Sequence, residues 1–296
     1  MNELLLRARR KFCFLTGNVR GVKRTSNLIS GHRAANQIRA RFDEIIPPVI
    51  NVEINTDCNY ACPFCPQSSF RRPSVFMTRP VFDVLLLRLE QIRYSGNVWL
   101  SVNNEPFLHP LILQFCEAIS ERLPSARGGL ISNGAVVTID HLRALARLAR
   151  PPCIKFNDYT PQHSIAKRIE GWVASESELA RIPVSISLRG RDEHLSNRAG
   201  NQPGCDSRMA DYHDIFCTWP FGSMFLTPEL KVFLCCSDYR HEVIIGDLNN
   251  SSIMDIWTGP QFRKLRVSLL AEARAGIPLC RRCDAEWFCL PEHCQK

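Results

Sequence analysis

The sequence of 296 residues has no apolar run approaching the roughly 20 residues that a membrane-spanning helix needs. Its opening stretch, MNELLLRARRKFCFL, lacks both the apolar core and the small-residue cleavage site of a secretory signal. A cytoplasmic protein without a membrane partner is therefore expected. There is no internal repeat and no low-complexity segment, which excludes a solenoid. Acidic residues are scarce near the N-terminus. Residues 1–44 hold ten Lys/Arg and three Asp/Glu, a net +7, whereas residues 45–296 hold 27 and 26, leaving +1 of the total +8. A basic arm of this kind is compatible with nucleic acid or an anionic membrane. Arg33, Arg39 and Arg41 alternate with Ile38 and Phe42, however, as on a solvated helix packed against a main domain. Nucleic acid is not expected as a partner.

Cysteine, by contrast, is abundant, at 14 residues. Secreted disulfide proteins are short and loop-rich, and this chain is long with regular patterning, so clustered cysteines read as metal ligands. With 45% hydrophobic and 22% charged residues, the composition is that of a globular protein able to bury a large core.

From residue 48 apolar runs alternate with helical patterns. VINVEIN (49–55), NVWLSVNN (97–104), GGLISNG (128–134), CIKFND (153–158) and IPVSISL (182–188) read as strands. Between them lie a helix capped by Thr78 with Pro80 in its first turn, a helix over 110–123, one capped by Thr138, and a weaker helical region. This rhythm predicts an α/β fold with a parallel sheet, either a barrel or doubly wound, whose active groups collect at the C-terminal strand ends. After the turn-rich NRAGNQPGCDS the pattern changes. SMFLTPELKVFLCC (223–236) reads as a hairpin turning at Thr227–Leu230, followed by a mostly helical stretch and the tail CRRCDAEWFCLPEHC. Three units are expected: a basic helical extension over 1–47, an α/β domain over 48–204 and a cysteine-rich domain over 205–296.

In TDCNYACPFCPQ, three cysteines, Cys58, Cys62 and Cys65, follow the first strand at C-x3-C-x2-C spacing. Structural zinc takes four ligands and a disulfide two, whereas soft thiolates also select iron–sulfur clusters. The spacing, with Phe64 before the last cysteine, resembles the signature of the radical S-adenosylmethionine (SAM) family. The resemblance implies a partial (β/α)6 barrel. It also implies a 4Fe-4S cluster on three thiolates, whose open iron chelates SAM and whose electron converts it to methionine and a hydrogen-abstracting 5′-deoxyadenosyl radical. Asn103, Asn104, Glu105 and Pro106 stand where the family has a Gly-Gly-Glu-Pro motif for the SAM amino group. The two asparagines are a departure, and they leave the backbone geometry open. Asn133, in SNG (132–134), is similar to the asparagine of a Thr-Asn-Gly motif. Phe64, these four residues and Asn133 are thus expected around SAM.

The C-terminal cysteines resemble the auxiliary-cluster region of the SPASM and twitch subfamilies: one before a hairpin, one after it, a helix, then C-x2-C. The resemblance implies that Cys217, Cys235, Cys280 and Cys283 close an auxiliary 4Fe-4S cluster, an electron carrier. Cys289 and Cys294 continue the tail at the spacing of a second auxiliary cluster. Further cysteines are then needed, so the single-cluster twitch form is favoured, and a zinc knuckle of Cys283, Cys289, His293 and Cys294 stays open. Cys13, Cys116 and Cys153 read as buried small hydrophobes.

The 47 residues before the first strand are too few for a peptide-recognition domain, so a small sugar-like substrate is expected over a ribosomal peptide. LSNRAGN (195–201) is similar to a loop of twitch aminocyclitol dehydrogenases, which makes Arg198 a candidate substrate contact. Cys236 is a candidate hydrogen-atom donor, so oxidation and epimerisation both remain open, as does the maturation of a peptide. A flavodoxin- or ferredoxin-type electron donor is implied. A zinc-binding nucleic-acid module is the reading from another class.

Overall fold

The computed structural model of the chain describes residues 46–189, 196–202 and 217–285. Strands β1 (Val49–Val52), β2 (Asn97–Trp99), β3 (Arg127–Ser132), β4 (Cys153–Asp158) and β5 (Val184–Leu188) alternate with helices. These are α1 (Arg79–Gln91), α2 (Ile112–Arg122), α3 (Ile139–Ala146) and α4 (Ser164–Ser175). All five strands pair in parallel, in the order β5-β4-β3-β2-β1. The C-terminal part adds α5 (Trp219–Gly222), β6 (Ser223–Leu226), β7 (Lys231–Phe233), β8 (Ile244–Asp247), α6 (Ile253–Trp257), α7 (Pro260–Glu272) and α8 (Pro278–Arg281).

Six parallel strands are present, as the resemblance implies, with the sixth supplied from the C-terminal part. Among the described residues the sixth parallel strand does not follow β5 as another repeat. It is β6, the first strand of the C-terminal hairpin, and it pairs with β1 on the opposite side of the sheet. The physical reason is edge satisfaction. β1 is buried and already paired with β2, and its free backbone edge requires a second neighbour. Every residue of β6 is buried and supplies it. The sheet therefore runs unbroken into the antiparallel β6-β7-β8. β8 is a strand beyond those the sequence pattern predicts.

Side-chain alternation sorts the sheet into two faces. Ile50, Val52, Val98, Leu100, Leu130, Ile154 and Phe156 are at most 1% exposed, and they share a core with Phe82, Leu85, Phe115, Leu142 and Ile169 of the helices. The other face carries Asn51, Glu53, Ser101, Lys155 and Asn157. Gly129 is required on that face, because a Cβ there would lie 2.6 Å from the Trp99 indole. At α3, Thr138 accepts from the His141 amide at 3.3 Å and His141 Nδ1 accepts from the Thr138 amide at 3.2 Å, a reciprocal cap. Thr78 holds the N-cap position of α1 with extended backbone but no side-chain bond.

Cys116 is buried in the core as expected, whereas Cys153 on β4 is only half-buried. Cys13, the basic extension before residue 46, the boundary at 204/205, Cys289, His293 and Cys294 lie outside the described residues. No helix among the described residues is long and apolar enough to cross a membrane.

Candidate active site

The chain leaving β1 forms the loop that carries Cys58, Cys62 and Cys65. All three are free thiols and line one cavity of about 330 Å³ at the C-terminal ends of the parallel strands. The loop is held by its own bonds. The Cys65 amide donates to Cys62 O (2.9 Å), Thr56 Oγ1 donates to Pro73 O (2.7 Å), and Gln67 Nε2 donates to Asn103 O (2.6 Å). Among the described residues, no three Cys, His, Asp or Glu side chains converge on a point that one metal ion fills. A single tetrahedral zinc brings its sulfurs to about 3.8 Å of one another. A four-iron cube spreads its thiolates around a larger body, which suits three cysteines set around a cavity. Burial pushes the Cys58 thiol up to about 11, partly offset by the Tyr60 amide, so a metal must displace its proton on binding.

Glu105 sits at the mouth of β2, 1% exposed. Its carboxylate accepts from Ser132 Oγ (2.8 Å), the Asn133 amide (2.8 Å) and the Phe107 amide (3.2 Å), joining the ends of β2 and β3. Burial raises its pKa to about 7 against those three bonds. Neither Asn103 nor Asn104 has positive φ, so nothing at this turn requires the family's glycines. Their side chains are put to use: Asn104 Nδ2 donates to Asn55 Oδ1 (2.8 Å), and Asn103 Nδ2 to Cys236 O (3.1 Å). Pro106 opens the short turn Pro106–Leu108 that follows Glu105. Asn133 donates from Nδ2 to Cys58 Sγ at 3.7 Å, and the Phe64 ring lies 5.1 Å from that of Tyr159.

Cys217, Cys235, Cys280 and Cys283 line a second, small cavity. They come from the start of α5, the end of the β6-β7 hairpin, and α8 with the residue pair after it. The Arg198–Gly200 turn packs alongside, with Arg198 and Ala199 at φ of 48° and 54°, left-handed conformations uncommon outside glycine and asparagine. Asn197 fixes this turn, its amide donating to Asp284 Oδ1 (2.6 Å) and its Nδ2 to Arg282 O (2.7 Å). Arg198 Nη1 reaches Cys236 O at 3.4 Å.

A family model described as an iron-sulfur cluster-binding domain, SPASM, matches residues 217–284, which contain all four of these cysteines. Over 240 residues the chain is 27% identical to the S-adenosyl-L-methionine-dependent 2-deoxy-scyllo-inosamine dehydrogenase of Niallia circulans, covering 80% of this chain and 92% of that one. The chain is thus similar over most of its length to an S-adenosylmethionine-dependent enzyme and carries a SPASM iron-sulfur domain match. The crystal structure of BtrN in complex with AdoMet and 2-DOIA matches its fold with a TM-score of 0.70 at 24% identity, over 82% of this chain and 95% of BtrN. Streptococcus suis SuiB bound to the precursor peptide SuiA matches with a TM-score of 0.52 at 10% identity, over 79% and 70%.

Every proposed site residue among Phe64, Asn103, Asn104, Glu105, Asn133, Arg198 and Cys236 lines the first cavity, while Pro106 is buried beside it. Lys155 and Asn157 also line it and went unremarked in the sequence. Their signal is the alternation in CIKFND, where Ile154 and Phe156 point to the helices and the polar residues between them point inward. Arg274, against the SPASM cysteines, has no comparable signal.

Proposed function

We propose that the protein is a radical SAM dehydrogenase that oxidises a secondary alcohol of a small polyol or amino sugar, with a closed auxiliary 4Fe-4S cluster as electron carrier. One observation carries this reading: the two cysteine cavities stand back to back. Cys236 and Arg198 line the first and their chain neighbours Cys235 and Ala199 the second, while Trp219 and Ser237 line both. A substrate in the first cavity is thus one residue removed from an auxiliary ligand. When bound, a 4Fe-4S cluster on Cys58, Cys62 and Cys65 with SAM on its open iron supplies a radical able to take hydrogen from an unactivated carbon.

The chain's own residues then have separate tasks. A carboxylate offers about four lone-pair sites, and three at Glu105 are occupied, so one is left for the ammonium of SAM. Asn103, Asn104 and Pro106 fix the turn that presents Glu105, and Phe64 on Tyr159 forms an apolar wall for the adenosyl group. The cavity residues Asn51 and Asn157 bury Nδ2 and Oδ1 without a partner, and a hydroxyl-rich ligand supplies both a donor and an acceptor. Arg198 is placed to touch the same ligand. A cluster held by Cys217, Cys235, Cys280 and Cys283 would accept the electron that a carbinol gives up when, after losing a hydrogen atom, it loses a proton to a base and becomes a ketone. The name of the Niallia circulans relative, an aminocyclitol dehydrogenase, supports this reaction over peptide maturation. A flavodoxin- or ferredoxin-type protein in the cytoplasm supplies the priming electron.

Cys236 lines the cavity and supports a second reading, epimerisation by hydrogen-atom return from its thiol. Anaerobic turnover with reductant, SAM and a panel of cyclitols and amino sugars tests both. Ketone, methionine and 5′-deoxyadenosine in equal amounts, retained in Cys236→Ala, are expected. An epimer lost in Cys236→Ala makes the protein an epimerase, and absence of 5′-deoxyadenosine refutes the radical reading.

The Asn133 bond to Cys58 gives a further expectation. An N–H donor stabilises the more negative, reduced cluster, so its loss lowers the potential. A net hydrogen bond of about 0.5–1.5 kcal/mol corresponds to roughly 20–60 mV for one electron. Redox titration of Asn133→Ala should show the SAM-binding cluster shifted down by this amount, and an unchanged or higher midpoint would refute it.

A further inference from the structure

We propose that Arg274 makes the auxiliary centre an electron acceptor by holding a buried positive charge against its thiolates. This rests on the reading above, in which that centre takes an electron from the substrate. Arg274 follows α7 and is 1% exposed. Nη1 donates to Cys283 O (2.9 Å) and Nη2 to Ala285 O (2.6 Å), which aims the guanidinium at the chain segment carrying the last ligand. Its Nε is buried, has no partner, and belongs to a side chain lining the cavity of Cys217, Cys235, Cys280 and Cys283. A buried donor left unpaired beside four thiolates implies an acceptor in that cavity, and the sulfur of a cluster is one.

The remaining lining is neutral apart from the thiols: Ala199, Trp219, Ser237, Leu279 and Ala285. Arg274 is therefore the one formally charged side chain on this cavity among the described residues. Burial pushes the Cys217 and Cys280 thiols up, and the Arg274 charge opposes it at both. Asp238 acts the other way on Cys280, its carboxylate tied to the Glu242 (2.8 Å) and Val243 (3.0 Å) amides. The second buried arginine, Arg266, is engaged elsewhere. It donates from Nε to Pro220 O (2.7 Å) and from Nη1 to Trp257 O (2.6 Å), and stacks 4.0 Å from the Trp257 ring.

Reduction adds one negative charge to a cluster, and a fixed cation in a poorly screened cavity favours the reduced form over the oxidised one. The effect of Arg274 is thus to raise the auxiliary potential, the direction needed to draw an electron from a carbon radical. The competing role is a simple staple of residues 283–285, and charge and staple are separable by substitution.

The test uses full-length protein with Cys58, Cys62 and Cys65 replaced by alanine, so that only the auxiliary cluster titrates in an EPR-monitored redox titration. In this background R274Q should shift the reduction equilibrium at least tenfold toward the oxidised form, about 60 mV for one electron. R274K, which keeps the charge, should move it by less than a third of that, and D238N should move it in the opposite direction. In the enzyme with both clusters, R274Q should also lower the ratio of ketone to 5′-deoxyadenosine. An unchanged midpoint in R274Q with four irons in place overturns the proposal, as does R274K falling as far as R274Q, which leaves only the staple. If R274Q does not retain its cluster, R274K and D238N decide: a D238N midpoint that does not rise overturns it. Absence of auxiliary iron from the parent protein itself would instead refute the functional reading.

Discussion

Replacing Cys58, Cys62 and Cys65 together by alanine should halve the bound iron, from about eight to about four per chain, and reduce 5′-deoxyadenosine to background. The fold should survive, because the loop does not depend on its thiols for shape. Gln67 ties it to Asn103, Thr56 ties it to Pro73 and Val75, and Gln202 Nε2 donates to Pro63 O. Asn133 donates to the Cys58 sulfur, and none of the three cysteines is in a disulfide. Their removal leaves small gaps at a cavity rim rather than holes in a core, and should cost little stability. The four SPASM cysteines lie in a separate cavity and should keep their four irons. Iron and sulfide analysis after anaerobic purification, with circular dichroism as the folding control, checks all of this. Retention of about eight irons would refute the assignment of Cys58, Cys62 and Cys65, and replacement of iron by zinc with no sulfide would refute both cysteine sets.

The sequence was most legible where a function depends on neighbours in the chain. Cysteine spacing marked both cavities, and strand–helix alternation marked the five-stranded parallel sheet, because both signals are local. Pairings across long stretches left no such trace. Nothing in SMFL says that it will pair with VINV some 170 residues earlier; what decides it is an edge of β1 left unsatisfied by β2. The Asn-Asn-Glu-Pro turn is instructive in another way. The departure from glycine looked like a backbone difficulty. The turn in fact has negative φ at both asparagines, and Asn103 and Asn104 use their amides to join three separate loops. Arg274 was invisible because one arginine in AEARAGIPLC resembles any other until the fold buries it.

A second long-range pairing leads to the largest stability effect expected. Arg72, leaving the cysteine loop, grips Glu53 beyond β1 with Nη2 to Oε1 at 2.6 Å and Nη1 to Oε2 at 2.8 Å. Side-chain exposures of 7% and 0% make this a buried pair. The SPASM hairpin closes it from the other side. His241 Nε2 lies 3.2 Å from the same carboxylate, and the Tyr239 ring lies 4.4 Å below the Arg72 guanidinium. Arg72→Met removes the bidentate partner and leaves a buried carboxylate held only by His241 and the Asn103 amide, an effect of about 3–5 kcal/mol, or roughly 10 °C in Tm for a chain of this size. Burial alone would raise the Glu53 pKa, but the bonds from His241 and Arg72 and the Arg72 charge outweigh it and hold it below the usual carboxylate range. A depressed folded-state pKa contributes stability above the unfolded value near 4.5, and that contribution is lost as pH falls through the folded value. In Arg72→Met the guanidinium's bonds and charge are lost while the His241 bond remains, so the Glu53 pKa rises relative to the parent and less charge-dependent stability is present above it. The gap between the two proteins should therefore be widest near pH 7 and narrow in acid. Thermal unfolding across a pH series reads this directly, and a gap that stays constant from pH 7 to below 4.5 would show that the pair acts through packing rather than charge.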